Sequence, residues 1–177
     1  MDWSTVLAIS LVYSLVVFGG MTLMILCGGL VANDAMLHDY PRAIQERHGP
    51  KTPRGVLVTR LMNVVGVVLL TAASIAVIGY VRGELGGDIG FLPAFVVGTV
   101  TVIVVNVLDL VILDWWIFCT IQPRFLVPES TRGMPEYRDY SFHWKVLMPS
   151  PVPWPLLLIP AYGVILGVGT IAFEAVR

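Results

Sequence analysis

The chain has 177 residues, of which 56% are hydrophobic and only 13% charged, with a net charge of −1 and a mean hydropathy of +0.82. An ordinary soluble domain is about a quarter charged, so the composition excludes that class. Basic residues that alternate with acids and prolines form no stripe, which excludes a nucleic-acid interface.

Charge-free runs mark where the chain can leave water. The first, Thr5 to Asn33, exceeds the ~20 residues needed to cross a hydrocarbon core about 30 Å thick. No Lys or Arg precedes it, and it is longer than the roughly 7–15 residues of a signal core, so it is read as a permanent helix over about 5–33. A connection over about 34–56 follows, and the next run predicts a helix over about 57–81. Pro93 suits a first helical turn, where a missing N–H costs nothing, so the third helix is expected over about 92–119. A second connection covers about 120–154. Its closing stretch MPSPVPWP carries prolines at 149, 151, 153 and 155 that delay the last helix to about 155–175, with Pro160 inside it as a kink.

The fold expected is therefore all-α, a single polytopic membrane domain over 1–177 built as a four-transmembrane-helix bundle. Nine of the eleven basic residues flank the two long connections: Arg42, Arg47, Lys51, Arg54 and Arg60, then Arg124, Arg132, Arg138 and Lys145. Arg82 and Arg177 fall on the other side. The positive-inside rule places both connections in the cytoplasm and both termini outside. Cys27 and Cys119 are read as small core residues rather than a disulfide.

Two aspartates interrupt the third span, in DLVILDWWIFCTIQPRF from Asp109. A carboxylate at a helix centre costs about 2.5–3.5 kcal/mol on insertion scales, so it should face other helices, water or a cation. Arg60 and Asn63, entering on the next helix from the same side, are its expected partners. Asn106 and Asp109, spaced i, i+3, share a face. In an α-helix Asp114 lies about 140° around from Asp109, which predicts separate roles for the two. The candidate binding set is Asp109, Asp114, Asn106, Arg60 and Asn63, with Tyr140 and His143 as a cap should the second connection fold back over it. That connection interleaves aromatic and charged residues, and the favoured expectation is an interfacial anchor. A structural ion pair between Arg60 and an aspartate is the competing reading.

Asp34 and His38, spaced i, i+4, project together if the first helix continues past the membrane. With His143 they are the candidate ligands of a divalent metal such as zinc, manganese or iron, although no HExxH or CxxC motif supports one. The glycines Gly163 and Gly167 form a GxxxG that serves either packing within the chain or a homo-oligomer.

The pattern DWWIFCTIQPRFLVPEST followed by MPEYRDYSFH resembles that of small, uncharacterised bacterial four-helix multipass membrane proteins. The resemblance covers about the last third of the chain and implies four helices; it implies no reaction and no substrate. The expected function is an integral protein of the bacterial inner membrane whose polar site, in the cytoplasmic half of the bundle, binds or moves a small molecule or lipid. An accessory or assembly subunit of a membrane complex, with a membrane-protein partner, is the first alternative. A membrane-embedded metal-dependent enzyme is the second.

Overall fold

A computed structural model describes residues 2–153 and 155–176; Arg177, counted above for the exterior side, lies outside them. The described residues form helices and turns and no strand. Six helices follow in order: α1 (Trp3–Val31), α2 (Arg42–His48), α3 (Pro53–Leu85), α4 (Phe91–Ile121), α5 (Tyr140–Leu147) and α6 (Pro155–Ala175). Four of these, α1, α3, α4 and α6, are long and apolar enough to cross a membrane.

Their ends follow local chemistry. Pro53 and Pro155 open α3 and α6 at positions where no helical N–H is needed. The 33 residues of α3 span about 50 Å, more than a hydrocarbon core, and this helix begins four residues earlier and ends four later than the helix expected over 57–81. Large aliphatic side chains point outward along all four helices; Ile75 is 71% and Ile165 65% exposed. In water each would forfeit about 1.5–3 kcal/mol of burial, whereas lipid removes that cost.

The chain forms two compact units. The first comprises Met1–Phe18, Leu69–Val107 and Met148–Arg177. Its core joins Val6, Tyr13, Val77, Val81, Ala94, Val97 and Leu166. Close approach of α4 and α6 depends on glycine, since a Cβ on Gly98 would lie 2.9 Å from the Gly163 Cα. Gly167 likewise packs against the Phe91 ring. The GxxxG of α6 thus serves contacts within the chain. The hydroxyls of Tyr13, Ser74 and Tyr162 meet at 2.6–3.3 Å and satisfy one another.

The second unit comprises Gly19–Val68 and Leu108–Leu147, and so contains the first long connection and most of the second. These connections are packed structures. Tyr40 is 2% exposed, stacks edge-on to Phe118 and Tyr137, and donates its hydroxyl to the Leu126 carbonyl at 2.9 Å. Burial holds its phenol well above the usual range. α2 lies against the turns Glu129–Thr131 and Pro135–Arg138, and α5 lies against the last third of α4. Cys119 is buried as expected, but Cys27 is exposed, so only one of the two is a core residue.

Candidate functional site

The last 13 residues of α4, Asp109–Ile121, are wound as a π-helix. Bonds run from residue i+5 to i, as from the Gln122 N–H to the Ile117 carbonyl at 2.8 Å, and Gln122 then turns left-handed at φ 51 before Pro123. This geometry is rare and is usually confined to single turns at functional sites. It corrects the expected placement of the two aspartates. Under i→i+5 bonding, residues five apart stack along the axis much as i and i+4 do in an α-helix, so Asp109 and Asp114 come to one side instead of 140° apart.

α5 folds back onto this segment, the second of the two arrangements open to this connection. The Trp115 indole N–H donates to the Tyr140 carbonyl at 3.1 Å, and the Tyr140 and Thr120 hydroxyls are 2.9 Å apart. One turn on, His143 Nδ1 stands 3.0 Å from Asp114 Oδ1, with side-chain exposures of 8% and 22%. With an ionised Asp114, Nδ1 carries the donated proton and Nε2 is left as the basic nitrogen. Tyr140 itself remains exposed and fastens α5 in place.

The first connection supplies the rest of the cluster. α1 stops at Val31 and the chain turns through Leu37–Asp39, so Asp34 and His38 share no helical face. Asp34, 2% exposed, turns inward and accepts the Thr52 N–H at 2.5 Å, with His48 Nε2 at 3.9 Å. His38 turns the other way: Nε2 faces Asp39 Oδ1 at 3.4 Å and Nδ1 faces Lys51 Nζ at 2.8 Å. Lys51 completes its donors on the Ala35 carbonyl (2.6 Å) and the Thr59 hydroxyl (3.0 Å). With all three protons donated, Lys51 fixes His38 Nδ1 as an acceptor.

Asp39 links the two halves. It interacts electrostatically with His38, Lys51, Asp114 and His143, and Asp109 interacts with Asp114, Asp39 and His143. Burial pushes the Asp39 carboxyl above its ordinary range, with His38 and Lys51 pulling it back, although 45% of its side-chain surface stays accessible. Burial lowers the Lys51 ammonium against the pull of Asp39 and Asp34. Asp109 has neither a hydrogen bond nor an ion pair among the described residues, which distinguishes it from Asp114.

Several expected members stand elsewhere. Arg60 and Asn63 are exposed on α3, and no described carboxylate pairs with Arg60, so the expected ion pair with Asp109 or Asp114 is absent among the described residues. The physical reason is rotation: Thr59 turns toward the Ala35 carbonyl, and Arg60, 100° further round, turns away. The Asn106 amide donates back to the Val102 carbonyl at 2.7 Å. The proposed metal ligands are not brought together: Asp34, His38 and His143 each take a different partner, and no three His, Cys, Asp or Glu side chains among the described residues converge on a metal-sized site.

Asp39, Lys51 and His48 were not singled out by sequence. The one available signal was that Asp39 adjoins His38 in the HDY triplet, since a three-residue turn is enough to bring such neighbours together. Comparison of the chain with protein-family models, curated proteins and solved structures finds no match.

Proposed function

We propose that this chain is an integral membrane protein that binds or moves a small molecule or lipid at the Asp39–Asp109–Asp114 cluster. One observation carries the reading: in the second unit Asp39 lies within electrostatic range of His38, Lys51, Asp114 and His143, and Asp109 within range of Asp39, Asp114 and His143. Carboxylates outnumber lysines there: Asp39 faces Lys51, whereas Asp109 and Asp114 have no lysine or arginine partner among the described residues. Such a site takes up protons or a positively charged group, and Asp109, which no described partner neutralises, is the carboxylate left to receive it. His143, oriented through Nδ1, supplies a proton acceptor beside it.

The distribution of basic residues supports the cytoplasmic placement of both connections, and hence a site that opens to the cytoplasm from a bacterial inner membrane. The alternative of an assembly subunit draws support from the packed Tyr40 cluster, which would give a partner protein a rigid surface. Native mass spectrometry of detergent-extracted protein separates the two. The site reading expects a small-molecule or lipid adduct on the native chain that Asp109→Asn loses while its melting temperature is kept. A chain without any adduct, which instead co-purifies with a stoichiometric membrane protein, would favour assembly.

A further inference from the structure

A second site lies in the first unit. A groove of about 380 Å³ runs between α3 and α6, from Ser74 to Arg82 along one wall and from Leu166 to Phe173 along the other. Eight residues of helix make it about 12 Å long. Gly79 and Gly169 line it, and a Cβ at either would meet nothing within 4 Å, so the groove is open where these side chains are missing. On helices that cross a membrane, an apolar groove of this kind is filled by hydrocarbon.

Its Arg82 end is polar and is not internally balanced. Arg82 is 12% exposed, with its guanidinium 5.1 Å from the Phe173 ring. Nη2 donates to Asp88 Oδ1 at 2.6 Å. Nη1 is buried with no hydrogen-bond acceptor, since Glu174 Oε1 is 3.8 Å away and that carboxylate is already engaged by the Ile89 and Gly90 N–H groups at 2.9 and 3.2 Å. A buried donor without an acceptor is costly, so the guanidinium is incompletely neutralised, and its exposed 12% is what the groove can reach. The local charge is one cation against two carboxylates, which an anion alone would worsen.

We infer that this groove binds a zwitterionic aminophospholipid, with an acyl chain between α3 and α6, the phosphate on the exposed edge of the Arg82 guanidinium, and the ammonium beside Asp88 and Glu174. Phosphate and ammonium together complement a site of one positive and two negative groups, and the ammonium supplies donors that a choline headgroup lacks. An anionic glycerol headgroup brings no positive charge to the carboxylates and is disfavoured.

The test uses the full chain in nanodiscs of equal parts phosphatidylethanolamine, phosphatidylcholine and phosphatidylglycerol, released for native mass spectrometry of the retained lipid. The native chain should retain phosphatidylethanolamine over phosphatidylglycerol by about tenfold, the scale of one charge-assisted hydrogen bond. Gly169→Leu, which fills open space and meets no neighbour at its Cβ, should lose the retained lipid without a lower melting temperature. Asp88→Asn, at a side chain 65% exposed, should shift retention toward phosphatidylglycerol. Retention in the proportions supplied, or retention by Gly169→Leu equal to the native chain, would overturn the site. An unchanged lipid ratio in Asp88→Asn would overturn the assignment of its headgroup.

Discussion

Replacing Asp114 by Asn and His143 by Ala, singly and together, measures whether the contact that holds α5 against α4 is an energetic bond. At 3.0 Å, the His143 Nδ1–H donates to Asp114 Oδ1, and a hydrogen bond of this kind is worth about 4–6 kcal/mol before hydration is counted. Exposures of 8% and 22% mean that both groups surrender most of their hydration to meet, which takes back much of that attraction. A charge-assisted hydrogen bond nets about 1.5–3 kcal/mol. At roughly 2–4 °C per kcal/mol for a chain of this size, each single variant should melt about 4–10 °C lower. The double variant should lose little more than the worse single one. Cys119 provides the readout: it is 1% exposed and lies on the same helical segment, so a thiol-reactive fluorogenic dye reports its release, with exposed Cys27 replaced by Ser throughout. Losses that simply add, leaving a coupling below about 0.5 kcal/mol, would show that the two side chains do not act as a pair.

Four other outcomes follow from the geometry. Gly98→Ala drives a Cβ to 2.9 Å from the Gly163 backbone, which cannot step aside, so it should cost about 1–3 kcal/mol in thermal unfolding. Gly19→Ala, whose Cβ meets nothing, should gain the usual helix propensity of up to about 1 kcal/mol instead. Asp39, held above its ordinary value, stabilises the fold only below that ordinary value and loses the contribution as pH rises through the raised one. Asp39→Asn should therefore raise the melting temperature at pH 7.5 by more than at pH 4.5, and a gain equal at both would contradict the assigned cause. Tyr40→Phe removes the 2.9 Å bond to the Leu126 carbonyl and should cost about 0.5–1.5 kcal/mol, plus the penalty of the orphaned carbonyl, measured by chemical denaturation.

The four membrane-length helices were legible because hydrocarbon imposes a length and forbids charge, and both constraints are written directly in the chain. Proline punctuation did nearly as well, with Pro155 opening α6 where expected. What could not be read was rotation about the helix axes. Thr59 and Arg60 are neighbours in sequence, yet only the threonine turns toward Ala35, and no composition signal distinguishes them. The π winding after Asp109 was also hidden, because the same apolar residues satisfy either helix and the choice is settled by what packs on it. Asp109, Asp114 and His143 could be nominated from their cost in lipid and their side of the membrane. Asp39 and Lys51 could not, since their partners are set by a turn of three residues and by a lysine 13 positions after His38.

The Tyr40 cluster also has a consequence for the order in which the molecule is made. Its hydroxyl acceptor, Leu126, is 86 residues further along the chain, and at about 5–20 residues per second the ribosome needs some 4–17 s to reach it. Until then Tyr40 lacks its acceptor, and Tyr137, which packs on Tyr40, and His143, which lies near Asp39, come later still. The polar centre is thus completed only after His143 has been made, since Asp114 has no ion-pair partner before it among the described residues. A chain halted before Leu126 would leave the first connection open to proteases that the finished protein resists.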